Sequence, residues 1–417
     1  MRTQEPFSLC YIAYPNSPEL RSANAVQTYH TLRELRRIAP DALVIVPRMR
    51  SGPSAFDELG AVHLPRIGIG RLSRLYRSTL LYYAERTAFA WMTAAYLLWR
   101  RLARRERRPV VYVREVILAF WLSLLLPRLV GARVVYEVHD LESRNPSRAR
   151  EAWVAPLLGL IDRVTLTRPA ALTSLTAAFR EQLERDGLRP AREVAVLPDA
   201  YDERRYLPQA RDAARAALGL PPDATLVVYA GLTFSYRGLD LLLDALADAR
   251  RSCPTLRAVL VGGRPHERAA LEAQARRLGI EAAVIFAGQQ PQEAVPPYLA
   301  AGDILAVPDT VTDVTASPLK LFEYMAMRRA VVCPDLPALH EITGGDGAIH
   351  VPRGDRAALA AALVRLAADP ALREELAARA AERVAGHTYA RRAARLLAVC
   401  RAVADAPDTG DIDIAGL

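Results

Sequence analysis

The sequence predicts an α/β protein of two successive domains, each a parallel sheet doubly wound by helices. Its 417 residues exceed what one hydrophobic core usually organises. Short apolar strands alternate with helical segments, which is typical of parallel sheets covered on both faces. The alternation breaks at Pro198 and the polar segment 199–208, then restarts. We therefore predict domains over 1–200 and 201–404, and expect the acidic tail 405–417 to be disordered.

The elements of the first domain follow one another as strand and helix. β-branched and aliphatic runs predict its strands, at 7–14, 42–46, 110–113, 133–138, 170–174 and 194–197. A helix is predicted over 24–37, after the polar loop that follows the first strand. The carboxyl ends of parallel strands form the ligand-binding edge in sheets of this kind.

The second domain repeats this alternation of strands and helices. Glycines close several of its predicted strands, which lie at 226–230, 258–261, 284–287, 304–307 and 330–333. Leu239, Leu242, Leu243 and Leu246 have the i, i+3, i+4, i+7 spacing of an amphipathic helix. Further helices are predicted over 267–278 and 317–327, and from 357 to about 403.

Composition excludes several classes of protein. The four cysteines are scattered without a CxxC pair, which argues against a zinc site or a disulfide framework and favours a reducing cytosol. We expect no metal site and no cofactor. The longest apolar stretch, 116–126, is about half the ~20 residues of a membrane-spanning helix. The expected location is the cytoplasm, with the inner face of the plasma membrane as the more specific expectation.

The net charge of +9 is concentrated in one segment. Residues 71–108 contain ten arginines and only two acids, Glu85 and Glu106. No nucleic-acid recognition motif accompanies this patch. Arg71, Arg74 and Arg77 recur beside leucines, tyrosines and tryptophans. This pattern favours an anionic membrane surface as the partner; the alternative is a domain core with a solvated arginine rim.

The chain contains a single lysine, Lys320, among 55 basic residues. Because arginine serves elsewhere, Lys320 indicates a site that needs a compact ammonium. Ser317 and Pro318 predict the start of its helix, whose free N–H groups suit a phosphate. Glu323 follows Lys320 at i+3, on the same face, where its carboxylate could accept hydrogen bonds from ribose hydroxyls. An ordinary capped helix with a solvated ion pair is the alternative.

Several segments resemble the family-4 glycosyltransferases. They are SPLKLFEYMAM at 317–327, VVCPD at 331–335, LPALHE at 336–341, YAG at 229–231, Arg237–Gly238 and the linker-like VLPDAYD at 196–202. The similarity runs through almost the whole chain and is most specific from 194 to 352. It implies the GT-B fold, two Rossmann-like domains facing each other across a cleft, and retaining, metal-independent transfer of a hexose.

The resemblance also implies which residues act. It places the nucleotide-ribose carboxylate at Glu323, a phosphate-binding cation at Arg237 and the active-site histidine of the segment VVYEVHD at His139. Catalytic roles are expected for His139, Arg237 and Lys320. The donor site is expected to comprise Gly231, Arg237, Thr315, Ser317, Leu319, Lys320 and Glu323. Weaker acceptor-side candidates are Ser22, Asn24 and Glu137.

Two positions depart from the family pattern. Thr315 stands where an acid often holds donor-sugar hydroxyls, and Leu232 stands where an arginine often follows the first glycine of the second domain. Lys320 is a candidate source of the missing positive charge.

The expected function is transfer of a sugar from a UDP- or GDP-linked donor to a glycan or lipid-linked acceptor, in polysaccharide biosynthesis. The alternatives are a noncatalytic partner subunit on the same fold and a sugar-nucleotide epimerase.

Overall fold

The computed structural model describes residues 7–15, 20, 22–48, 53–67, 79–104, 108–139, 141–144, 155–309, 317–407 and 412–417. Two parallel sheets with flanking helices organise these residues. The two doubly wound sheets predicted from the sequence are therefore confirmed. Each sheet belongs to its own compact unit.

The first sheet has seven strands in the order β3-β2-β1-β4-β5-β6-β7. They are β1 (Ser8–Ile12), β2 (Leu43–Pro47), β3 (Val62–Leu64), β4 (Pro109–Val113), β5 (Arg133–Val138), β6 (Ala171–Ser174) and β7 (Val194–Val196). Its helices are α1 (Ala23–Ile38), α2 (Thr79–Arg104), α3 (Val116–Leu129), α4 (Ala155–Thr167) and α5 (Ala177–Arg185). The strand order reverses between β1 and β4, which creates a topological switch point at their carboxyl ends.

The second sheet has six strands in the order β10-β9-β8-β11-β12-β13. They are β8 (Thr225–Ala230), β9 (Leu256–Val261), β10 (Val284–Gly288), β11 (Ile304–Ala306), β12 (Ala330–Pro334) and β13 (Ile349–Val351). Its helices are α6 (Arg211–Leu218), α7 (Leu239–Ala249), α8 (Pro265–Arg277), α9 (Val295–Ala301), α10 (Leu319–Ala326), α11 (Pro337–Thr343), α12 (Arg356–Ala368) and α13 (Pro370–Val384). Its switch point lies between β8 and β11.

Strand β8 shows why this sheet is covered on both faces. Successive side chains of a strand point to opposite faces. Leu226 and Val228 lie in one buried cluster, together with Leu321 and Phe322 of α10. Val227 and Tyr229 lie in the other cluster, which α7 and α12 complete. An unbroken apolar strand is thus what a sheet buried on both faces requires.

The boundary between the units corrects the predicted domain limits. The first unit comprises Met1–Pro198 and Tyr389–Leu417, and the second comprises Asp199–Thr388. A final helix, α14 (Tyr389–Asp405), belongs to the first unit and not to the predicted second domain. Its buried residues, including Leu396 and Cys400, join the core that contains Leu9 and Leu32. The chain returns to the first unit because α14 buries its apolar face in the core of that unit.

The tail after α14 also differs from the expectation of disorder. Residues 412–417 are described, and Ile412 and Ile414 are buried in the core of the first unit. The Ile414 backbone N–H donates to the Arg192 carbonyl at 2.7 Å. Two buried apolar side chains anchor this otherwise acidic segment. The prediction of disorder was based on the net composition of the tail, which does not reveal them.

Other differences concern short or interrupted elements. β3 and β13, edge strands of three residues each, were not predicted. The helical region predicted from 357 to 403 is three helices, and Pro370 begins the second of them. Among the described residues, no helix is both long enough and apolar enough to cross a membrane.

Candidate functional site

The switch point of the second sheet places a glycine pair beside the end of β8. Gly231 follows β8 directly, and its N–H donates to the Val261 carbonyl at 2.9 Å. A Cβ on Gly262 would lie 2.0 Å from the Gly231 carbonyl oxygen, so the two backbones approach too closely for any side chain. Gly231 and Gly262 both have positive φ, at 146° and 121°. Exposed backbone is thereby brought to the carboxyl edge.

Lys320, the single lysine, reaches this edge from the first turn of α10. Its Nζ donates to the Tyr229 hydroxyl at 2.9 Å and lies 4.3 Å from the centre of the Tyr229 ring. It is also 3.8 Å from Asp309 Oδ2. Burial lowers the pKa of Lys320 to about 8; Asp309 opposes that shift and Arg237 adds to it. Lys320 is therefore still mostly an ammonium at pH 7, but it loses its proton at a lower pH than an exposed lysine does.

Arg237 lies at the same place and is held by a carboxylate that the sequence analysis missed. Its Nη1 is 3.1 and 3.2 Å from the two carboxylate oxygens of Asp309. Asp309 follows β11 at the switch point, and its side chain is 1% exposed. The sequence signal was an acid placed three residues after a strand. Nothing in the sequence pairs this acid with Arg237, because the two are 72 residues apart.

Glu323 lies one turn further along α10 than Lys320. It is half-buried and accepts a hydrogen bond from Tyr206. Burial raises the pKa of Glu323 to about 7, although Tyr206, Lys320 and Arg205 oppose this. A carboxyl group with this pKa changes its charge within the physiological range. The predicted proximity of Lys320 and Glu323 on one helix is present in the structure.

The start of α10 differs in detail from the prediction. The helix begins at Leu319, and Pro318 occupies its N-cap position without a side-chain cap. The Ser317 hydroxyl instead accepts a hydrogen bond from the Asp199 backbone N–H at 3.2 Å. The Leu321 N–H donates to the Pro318 carbonyl at 2.8 Å, so the N–H groups that lack an acceptor within the helix are those of Leu319 and Lys320. Thr315 lies outside the described residues.

His139 follows β5 in the first unit and is fixed by Glu137. The His139 Nε2 lies 2.7 Å from Glu137 Oε1 and 3.0 Å from Arg114 Nη2. Burial and Arg114 lower the pKa of His139, and Glu137 opposes them. The imidazole is therefore neutral at pH 7, and we assign its proton to Nε2, towards the closer carboxylate. This tautomer leaves Nδ1 as a hydrogen-bond acceptor on a side chain that is 26% exposed.

Glu137, one of the weaker acceptor-side candidates, is buried beneath His139. Its side chain is 0% exposed and lies 3.0 Å from Arg114 Nε and 2.7 Å from Arg392 Nη2. Tyr112 donates a further hydrogen bond to it. Burial favours the neutral form, but Arg392 and Arg114 hold the pKa of Glu137 well below its usual range. Glu137 therefore positions His139, and its negative charge partly compensates the positive charges of Arg114 and Arg392.

The remaining acceptor-side candidates lie at the start of α1. The Ser22 hydroxyl caps the helix by accepting from the Ala25 N–H at 3.2 Å. Asn24 Oδ1 is buried and has no hydrogen-bond partner among the described residues. Ser22 thus caps α1, whereas Asn24 Oδ1 is a buried acceptor whose hydrogen bond is not satisfied within the described residues.

The described part of the basic segment is helix α2. Trp91, Trp99 and Leu102 are 50%, 51% and 72% exposed. Their spacing of eight and three residues places them on one side of the helix. The Arg104 guanidinium lies 5.5 Å above the Trp99 ring. Arg71, Arg74 and Arg77 lie outside the described residues.

No three His, Cys, Asp or Glu side chains in the described ranges lie close enough together to hold a metal ion.

Two family models match the chain. The one described as "Glycosyl transferase 4-like domain" matches residues 24–200. The one described as "Glycosyl transferases group 1" matches residues 224–369. Together they cover more than three quarters of the chain.

Curated relatives carry glycosyltransferase names. The chain is 28% identical over 306 residues to alpha-D-kanosaminyltransferase of Streptomyces kanamyceticus, which covers 70% of this chain and 77% of the relative. It is 31% identical over 307 residues to D-inositol 3-phosphate glycosyltransferase of Kineococcus radiotolerans, covering 68% of this chain and 70% of the relative.

Solved structures share the fold at low sequence identity. Anabaena HepE in complex with UDP has a TM-score of 0.70 and 18% identity, covering 94% of this chain and all of the other. Sucrose-phosphate synthase from Thermosynechococcus elongatus has a TM-score of 0.73 and 17% identity, covering 94% and 98%. The paired domain matches, the relative at 31% identity and this shared architecture lead to one assignment: the chain belongs to the family-4 glycosyltransferases and has their GT-B fold.

Proposed function

We propose that this glycosyltransferase takes its sugar from a nucleoside diphosphate sugar bound by the second unit. The observation that carries the proposal is the convergence of Arg237 and Lys320 beside Gly231 and the first turn of α10. Two cations, exposed backbone and free helix N–H groups together suit a diphosphate. In addition, Arg237 Nε is buried without a hydrogen-bond partner among the described residues.

The same two cations account for the chemistry. As the glycosidic bond breaks, negative charge grows on the leaving diphosphate. Arg237 and Lys320 bind that charge more strongly than the charge of the ground state, which lowers the barrier. They take the role that a divalent cation has in other transferases. The sugar is transferred with retention, and the leaving phosphate accepts the proton of the acceptor hydroxyl.

Glu323 holds the nucleoside part of the donor. It lies on the same face of α10 as Lys320, one turn away, which is the distance from a diphosphate to its ribose. The ionised carboxylate accepts hydrogen bonds from both ribose hydroxyls. HepE was solved with UDP and with UDP-glucose. UDP is therefore the first nucleotide to test here, and GDP the second.

His139 acts on the sugar or on the acceptor. Its Nδ1 can accept a hydrogen bond from a hydroxyl group, because Glu137 holds the proton on the other ring nitrogen. We assign a second hydrogen bond from the same ligand to Asn24 Oδ1 at the start of α1, an oxygen that has no partner among the described residues. The acceptor molecule is a glycan or a lipid-linked sugar.

Helix α2 docks the enzyme on an anionic membrane that carries this acceptor. Its exposed Trp91, Trp99 and Leu102 supply apolar contact, and Arg100 and Arg104 supply positive charge close to two of its aromatic rings. Aromatic and arginine side chains together suit the headgroup region.

Glu323→Ala is expected to weaken donor binding, because the ribose loses its charged acceptor. Hydrogen bonds to a charged group are worth about 1.5–3 kcal/mol, which corresponds to a loss of about 10- to 150-fold in affinity. Calorimetric titration with UDP, and with GDP, measures this. Glu375→Ala, an exposed helix position in the same unit, is the control that keeps full affinity. Wild-type affinity in Glu323→Ala would remove this residue from the donor site.

The donor kcat/KM is expected to follow a bell-shaped pH profile with limits near pH 7 and pH 8. Below about 7 the Glu323 carboxyl is neutral, because burial raises its pKa, and it loses acceptor capacity. Above about 8 Lys320 loses its proton, because burial lowers its pKa, and the phosphates lose a cation. In Glu323→Gln the acidic limb disappears while the alkaline limb stays. A profile that is flat from pH 6 to 9 contradicts both roles.

His139→Ala is expected to slow sugar transfer on the order of 10²-fold, since the reacting groups lose their orientation. UDP affinity stays near the wild-type value, because the residue belongs to the other unit. The melting temperature also changes little, since Arg114 and Arg392 still compensate Glu137. A large fall in melting temperature with unchanged turnover per folded molecule would make His139 a structural residue only.

Vesicle flotation tests the membrane surface. The enzyme is expected to float with vesicles that contain an anionic phospholipid. With vesicles of phosphatidylcholine alone it is expected to remain at the bottom of the density gradient. The triple variant Trp91→Ser, Trp99→Ser, Leu102→Ser abolishes flotation. Leu207→Ser, at an exposed apolar position in the second unit, leaves it unchanged. Equal flotation of the triple variant and the wild type would exclude α2 as the docking surface.

A further inference from the structure

Asp309 is a buried carboxylate that the donor chemistry described above does not use. It follows β11, which pairs in parallel with β8, so it lies at the edge where Gly231 ends β8. Its side chain is 1% exposed, yet it lies between two cations that belong to different segments. Arg237 comes from the loop after β8, and Lys320 comes from α10. Because Asp309 is buried against Arg237 and Lys320, its carboxylate is not accessible to a ligand.

We propose that Asp309 is a positioning residue for the donor diphosphate: it holds the Arg237 guanidinium and the Lys320 ammonium side by side, charged and ready for the phosphates. The proposal rests on the donor site proposed above, in which these two side chains bind the diphosphate. Without an anion between them, the two cations would repel one another, and one of them would move away or lose its charge.

Lys320 is the cation that would lose its charge. An arginine stays protonated in proteins, whereas a buried lysine changes its pKa readily. The groups that act on Lys320 are Asp309 and Glu323, which favour the charged form, and Arg237, which opposes it; Tyr229 accepts its hydrogen bond. After burial itself, Asp309 has the largest influence on the pKa of Lys320. Asp309 therefore favours the ammonium form of Lys320 against burial and against Arg237.

The test is the pH dependence of UDP binding in Asp309→Asn, measured by calorimetry from pH 7 to 9.5. Asparagine keeps the shape of the side chain and an oxygen that accepts from Arg237, but it lacks the charge. The alkaline limb of binding is expected to move down by about one pH unit, so that affinity at pH 8.5 falls about tenfold relative to wild type. At pH 7 the difference is smaller. An unchanged alkaline limb overturns the proposal.

Three further variants separate a positioning role from a structural one. In the double variant Asp309→Asn, Lys320→Arg the shift disappears, because arginine keeps its proton. Asp309→Glu, which restores the charge, returns the limb towards the wild-type pH. Asp303→Asn removes another buried acid of the same unit, which pairs with Arg211 and Arg215; it lowers the melting temperature without moving the limb. A limb that also moves in Asp303→Asn overturns the proposal.

If Asp309→Asn does not fold, the comparison is made in the Arg237→Gln background, where no unpaired guanidinium remains. In that background Asp309→Asn must still move the alkaline limb of UDP binding to lower pH than in Arg237→Gln alone. An alkaline limb at the same pH in both variants overturns the proposal. Failure of the donor assignment is distinguishable from these outcomes. It shows as a wild-type enzyme that binds neither UDP nor GDP at any pH.

Discussion

A buried carboxylate flanked by two cations is the arrangement on which both candidate sites depend. In the first unit Glu137 joins Arg114, which follows β4, to Arg392 of α14. In the second unit Asp309 joins Arg237 to Lys320. Charged groups taken out of water are costly unless a partner compensates them. Each carboxylate lies at the carboxyl edge of its sheet and allows several cationic side chains to share a small space there.

The two clusters differ in what they leave for a ligand. Glu137 is enclosed by arginines that are themselves 2% exposed, and only His139 extends towards solvent. The Asp309 cluster is more open, since Arg237 is 29% exposed. The first cluster is therefore suited to fixing one neutral imidazole. The second is suited to presenting positive charge to an anion.

Much of the fold could be predicted from the sequence, because long apolar strands that end in glycine or polar residues are a local signal. β5 was predicted with its observed limits, and the proximity of Lys320 and Glu323 could be predicted because they share one helix. Asp309 was missed because its partner Arg237 lies 72 residues away in the sequence. The position of α14 was missed for the same reason. Its apolar face fits either unit in principle, and only tertiary packing decides between them.

The return of α14 to the first unit has a consequence for biosynthesis. Tyr201 forms a bridge with Thr388, so the two places where the chain passes between units are adjacent within the second unit. A ribosome completes residues 199–388 before it makes α14. The second unit can thus fold while its neighbour still lacks Leu396 and Cys400 from its core and Arg392 beside Glu137. During synthesis, therefore, the Glu137 carboxylate beside His139 gains its second arginine, Arg392, only after α14 has been made.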